Sequence, residues 1–121
     1  MKYPWIDSFC LQMKGVKKDF KLEWKASRFL IDSKMFAMIG ENPQKKDIIS
    51  IKLHPEYGLL LRSEYHDIFP GYYLNKDHWN SIDLNGNVPD DLLKELLVQS
   101  YELVFNSFSK KRQAAIKNSL F

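Results

Sequence analysis

With a single cysteine, Cys10, in 121 residues, the chain has no partner for an intramolecular disulfide and no cysteine pair for a zinc site. Its five glycines stand apart from one another, which excludes a glycine-rich loop that cradles phosphate. No apolar run approaches the ~18 residues of a membrane-spanning helix, and no basic-then-apolar leader opens the chain. A cytoplasmic protein without a membrane partner is the expectation. The three histidines, His54, His66 and His78, fall twelve residues apart. Zinc sites usually contain a closely spaced ligand pair, so no metal is expected. Cys-x-x-Cys, His-Glu-x-x-His and Gly-x-Ser-x-Gly are all missing. The adjacent carboxylates Asp90 and Asp91 suit a helix N-terminus better than an acid–base pair. No catalytic residues and no cofactor are expected; the chain reads as a binder and not an enzyme.

What is present is a well-supplied core. Hydrophobic residues make up 45% of the chain and charged ones 27%, a globular balance that argues against disorder. A chain of this length buries roughly two-thirds of the surface its unfolded form exposes, enough for one domain over residues 1–121. Cys10, between Phe9 and Leu11, reads as a small core hydrophobe. Charge is distributed unevenly along the chain. Residues 1–52 carry eleven basic and six acidic side chains, residues 53–102 three and nine, and residues 103–121 four and none. Such polarity can present one basic and one acidic face. The alternative is that the blocks interleave in space and the charge evens out.

The spacing of apolar residues predicts a helix over Tyr3–Lys14, with Pro4 in the first turn and Gly15 as its stop. Val16–Glu23 reads as extended. Strands are predicted over Trp24–Asp32, Met35–Glu41 and Ile48–Leu53, joined by short turns that favour an antiparallel meander. His54-Pro55 opens a short helix. Tyr65–His78 has no clear period. A last strand over Trp79–Leu84 ends in the turn Asn85-Gly86-Asn87. Its alternation sets Ile82 and Leu84 toward the core and turns Trp79 away. A long helix follows Pro89 with a broad apolar stripe, and Ser109 can cap a further short helix in a basic C-terminal extension, 109–121. Strands in a run with helices set apart indicate a two-layer α+β fold, the helices covering one sheet face and leaving the other open.

Two concentrations of chemistry remain. The first is the basic stretch Lys14, Lys17, Lys18, Lys21, Lys25 and Arg28, echoed by Lys45-Lys46 and Lys110-Lys111-Arg112. Such side chains neutralise phosphates and release condensed counterions; the plainer alternative is a solvated surface. The second is the aromatic segment 65–79, which mixes Tyr65, Phe69, Tyr72, Tyr73 and Trp79 with Lys76, His66 and His78. Exposed aromatics beside a cation can stack on bases or cover a ligand. The alternative is a compact loop that packs its own side chains on the sheet.

Several of these residues, in this order, resemble the MmcQ/YjbR family: Glu23-Trp24-Lys25-Ala26, Phe36-Ala37-Met38, Leu59-Leu60-Leu61-Arg62, Pro70, Leu74-Asn75-Lys76-x-His78-Trp79, Val88-Pro89-Asp90 and Ser100-Tyr101. The Leu-Asn-Lys-x-His-Trp hexapeptide before a strand is the most specific of them. The resemblance implies a fold similar to the bacterial frataxin homologue CyaY, with N- and C-terminal helices on one face of an antiparallel sheet. It also implies a double-wing, DNA-binding role without enzymatic activity. Iron binding on that fold relies on an acidic first helix, whereas residues 1–14 here hold only Asp7 as an acid. The expectation is a monomeric nucleic-acid-binding domain. Lys17, Lys18, Lys21, Lys25 and Arg28 would contact phosphates from one side, and Lys76, His78 and Trp79 would sit on or beside the open sheet face. The rival is a protein- or small-ligand-binding module using the aromatic segment 65–79.

Overall fold

A computed structural model of the protein describes residues 2–72 and 74–118; Tyr73 of the aromatic segment and residues 119–121 of the basic extension lie outside the described residues. A short first helix, α1 (Ile6–Leu11), precedes the strands β1 (Val16–Lys21), β2 (Ala26–Ile31), β3 (Lys34–Glu41) and β4 (Asp47–Lys52). Helix α2 (Pro55–Glu64), strands β5 (Ile68–Pro70) and β6 (Trp79–Asp83), and helices α3 (Asp90–Asn106) and α4 (Lys110–Lys117) complete the order. The strands form one sheet in the order β1-β2-β3-β4-β6-β5, and every pairing is antiparallel. The α+β architecture, the meander and the two-layer arrangement are those the sequence predicts.

Two local differences have physical causes. The first helix is shorter than Tyr3–Lys14, because Tyr3 is drawn into the core, where its hydroxyl donates to the Val88 carbonyl at 2.8 Å. Gly15, at φ 76°, then turns the chain into β1 in a conformation that costs glycine little. Strand β5 went unpredicted: three residues cannot display alternation, and Pro70 fits only an edge position, where its missing N–H is not needed. The further short helix expected after Ser109 forms as α4. Ser109 caps α4 by accepting from the Arg112 N–H, and Ile116 is buried in the core.

The register decides which side chains share a face. Ser27, Ile39, Ile49, Ile82 and Ile68 stand in one ladder row. Phe29, Ala37, Ile51 and Asn80 stand in the next. This side meets Ile6 and Cys10 of α1, Leu61 of α2, and Leu93, Leu96, Leu97, Val104 and Phe105 of α3 in the core. The other side carries Asp19, Arg28, Met38, Ser50, Ser81 and Phe69 in one row across all six strands.

Strand β3 holds one irregularity. Phe29 pairs with Ala37, but Leu30 pairs with Met35, so Phe36 is an extra residue, a β-bulge. On the opposite edge of β3, the last ladder pair is Ala37 with Ile51. Beyond it, Ser100 of α3 inserts its fully buried hydroxyl. That oxygen donates to the Phe36 carbonyl at 2.6 Å and accepts the Lys52 N–H at 2.8 Å.

Candidate nucleic-acid interface

Alternation in β1 distributes the lysines over both sides of the sheet. Lys17 pairs with Leu30, Asp19 with Arg28 and Lys21 with Ala26, which places them on the face away from the helices. Lys18 pairs with Phe29, a core residue, and so points the other way. There it forms an ion pair with Asp7 of α1 and sits 5.6 Å over the Phe29 ring. The sequence reading put Lys17 and Lys18 together on one side; the period of two in a strand separates them. Lys25 follows a single 3-10 turn, Leu22–Trp24, and takes the left-handed conformation at φ 50° as the chain enters β2. It is exposed on the loop between β1 and β2.

Trp79, paired with Lys52, lies on the same face as Lys17, Lys21 and Arg28, as its alternation predicts. It is half-buried because the chain after β5 folds back against it: the Gly71 N–H donates to the Trp79 carbonyl at 2.9 Å. Lys76 and His78 occupy an exposed turn just before β6. Asn75 organises this turn. Its side-chain oxygen accepts the Asp77 N–H, and its carbonyl accepts the N–H groups of His78 and Trp79. Arg62 of α2 donates to the Lys76 carbonyl and fixes the turn from the helix side. The hexapeptide is therefore a structural device first, presenting Lys76 and His78 at its tip. Four strand intervals, about 19 Å, separate β1 from β6.

The face is less open than expected. Ser50 and Ser81 are completely buried, their hydroxyls 3.1 Å apart, and Ala26, Met38 and Ile48 are buried beside them. Trp24 from the 3-10 turn, and Tyr72 and Leu74 from the aromatic segment, stand over this surface and enclose a cavity of about 400 Å³. Phe69 holds Tyr72 by an edge-to-face ring contact, 5.7 Å between centroids. Part of the aromatic segment therefore packs on the sheet.

Sequence reasoning did not single out Trp24 as a site residue. Trp24 is half exposed and flanked by cations, with Lys21 Nζ 4.8 Å and Arg28 Cζ 5.7 Å from its ring centroid. Its place in Glu23-Trp24-Lys25-Ala26 was the available signal. Arg28 is engaged by Asp19 through two hydrogen bonds of 2.8 and 2.6 Å. Those bonds hold the Asp19 carboxyl below the usual carboxylate range and raise the Arg28 guanidinium above its own. Cys10 is fully buried, and burial pushes its thiol up to about 12, which removes it as a nucleophile. Among the described residues no group of three or more His, Cys, Asp or Glu side chains is placed to hold a metal ion. No described helix is long and apolar enough to cross a membrane.

Comparison with known proteins places this architecture. Residues 11–103 match the family model described as YjbR. An Escherichia coli protein described as uncharacterized protein YjbR is 30% identical over 105 residues, covering 87% of this chain and 88% of its own. The crystal structure of Deinococcus radiodurans protein DR2400 superposes with a TM-score of 0.81 at 31% identity, covering 93% of this chain and 85% of that one. A Pseudomonas syringae protein shares the fold, with a TM-score of 0.74 at 24% identity over 85% of this chain and 98% of its own.

Proposed function

The chain belongs to the YjbR family, and from that premise we propose that it is a non-enzymatic DNA-binding protein whose helix-free sheet face meets the phosphate backbone. One observation carries the reading: Lys17, Lys21, Arg28 and Trp79 emerge on the same face of the sheet, opposite the helices. Lys25 and the exposed turn with Lys76 and His78 extend the cationic surface at two margins. Lysines supply the sequence-independent part of such binding by releasing counterions. Trp24, with Lys21 and Arg28 against its ring, has the aromatic-plus-cation character of a stacking platform. Lys18 belongs to the opposite face and takes no part.

The test is a fluorescence-anisotropy titration of duplex DNA at several salt concentrations. With about four phosphates neutralised, the logarithm of the binding constant falls with the logarithm of salt at a slope of about −3.6. Lys17→Gln and Lys21→Gln each weaken binding to all sequences alike and reduce the slope by about one. Lys18→Gln leaves both unchanged. Absence of binding at low salt, or equal effects of Lys17→Gln and Lys18→Gln, would remove the reading.

A further inference from the structure

We propose that β1 is a docking edge for a second copy of this chain, which pairs its own β1 antiparallel about a two-fold axis through Lys18. The sheet order leaves two edges, β1 and β5. Strand β5 is three residues long and ends on Pro70, which blunts it as a template for a further strand. Strand β1 is six residues long and pairs on one side only, with β2. Along this edge Phe20 stands opposite Ser27, on the helix side of the sheet, with 60% of its surface exposed.

Charge complementarity identifies the partner and the register. Lysines on a sheet edge oppose indiscriminate pairing, because like charges directly opposite repel. With the axis perpendicular to the sheet, both copies carry their helices on the same side, opposed residues share a face, and the axis passes through a residue. Centred on Asp19, the pairing sets Asp19 against itself and Lys17 against Lys21. Centred on Lys17, only residues 16–18 overlap and Lys17 meets itself. Centred on Phe20, only residues 19–21 overlap before the chain leaves β1 for the 3-10 turn. Centred on Lys18, residues 16–20 pair throughout. Lys17 then meets Asp19 of the second copy on the helix-free face, and Val16 meets Phe20 of the second copy on the helix side. The one like-charge pair is Lys18 with itself, and each Lys18 is already neutralised by Asp7 of its own α1. Across the junction Lys17, Asp19 and Arg28 alternate in sign, Asp19 being held by two hydrogen bonds from Arg28. A seam this short lies below the roughly 1,200 Å² of a stable interface, so the pair forms with rising concentration and the dilute chain is monomeric. Both helix-free faces look the same way in the pair. The association needs no nucleic acid and goes beyond the DNA reading.

The full chain is followed by sedimentation velocity from micromolar to millimolar concentration, without nucleic acid. The mean mass is expected to rise toward that of two chains. Phe20→Asp should hold it at one chain and keep the melting temperature, since the ring it removes is exposed. Register is read by oxidising variants with one added cysteine at millimolar concentration; the native Cys10 is fully buried and takes no part. Directly opposed residues set their Cα atoms about 4.5–5.5 Å apart, within disulfide reach. Lys18→Cys, on the axis, should therefore cross-link about tenfold faster than Leu22→Cys, which is exposed but off the axis. Should Phe20→Asp fail to fold, the cross-linking rates decide alone. A constant mass up to millimolar concentration, a rise that Phe20→Asp leaves intact, or equal cross-linking of the two cysteine variants overturns the pairing. Salt-dependent duplex binding can stand under any of these results.

Discussion

Replacing Ser100 with alanine isolates what the bulge in β3 demands of α3. The hydroxyl both donates to the Phe36 carbonyl and accepts the Lys52 N–H, and it is fully buried. Alanine keeps the helix, since it has the highest helix propensity, and removes only the oxygen. Two backbone groups then lose their bridge in a region closed to water. Each such loss costs about 1–2 kcal/mol, so the pair costs about 2–4 kcal/mol. For a chain of this size that lowers the melting temperature by roughly 10 °C. Urea unfolding followed by circular dichroism measures it, with a lower midpoint and an unchanged m-value as the signature. Ser63 supplies the control, because its hydroxyl also donates to a backbone carbonyl, that of Leu60 in its own helix at 2.6 Å, but is exposed. Ser63→Ala should cost no more than about 0.5 kcal/mol. A Ser100→Ala loss no larger than that of Ser63→Ala would refute the reasoning, because it would mean that β3 and β4 close directly once the oxygen is gone.

Other perturbations probe separate parts of the structure. Gly71→Ala would bring a Cβ to 2.9 Å from Trp79 Cβ and 3.1 Å from the Trp79 carbonyl carbon and oxygen. Backbone atoms cannot step aside as a flexible side chain would, so the change should destabilise by about 1–3 kcal/mol in a thermal melt; a neutral result would argue against the fold-back onto β6. Cys10 should resist a thiol reagent at pH 8 in the native protein and react only on unfolding. The folded thiol keeps its proton to about 12 whereas its ordinary value is 9.0. Native stability should therefore fall as pH rises through that window, and Cys10→Ala should reduce the alkaline slope, the remainder coming from the raised phenols of Tyr3, Tyr57 and Tyr101. Arg28→Ala should return the Asp19 carboxyl upward toward 3.8, as read by a carboxyl NMR titration. Because the folded value is depressed, the pair's stabilisation is present above the unfolded value and lost as acid takes pH below the folded one. The stability difference between the two proteins should shrink in that acid range.

Much of the fold is legible in the residue pattern, and the site much less so. Strand β4 displays its alternation openly, with Ile49 and Ile51 in the core. The pattern also makes Ser50 look solvent-facing, yet it is completely buried. Its cover comes from chain distant in sequence, the 3-10 turn and the aromatic segment, which no local period can announce. The same holds for Ser100, which reads as one small polar residue in a helical stripe until the bulge opposite it is known. Several residues that carry the family resemblance prove to be fittings of the fold. Asn75 ties the turn before β6, and the Val88 carbonyl receives the Tyr3 hydroxyl. Tyr101 stacks on Phe105 and donates to the Lys14 carbonyl. The lysine-rich stretch was visible as composition, but only the register of β1 tells Lys17 from Lys18.

Helix α3 has a consequence for the order in which the chain is made. The four-strand meander is complete by Lys52, and β6, which extends its sheet, by Asp83. Helix α3, which completes the roof over this sheet and bridges its bulge, begins only at Asp90. During synthesis the part of the sheet's inner face that α3 covers therefore waits, greasy and with only α1 and α2 beside it, until residues 90–106 have emerged. A nascent chain stalled before Asp90 would expose Phe29, Phe36, Ile49 and Ile51 together, a surface for chaperones or for aggregation. The sheet is sealed only once the helix that follows its last strand has been made.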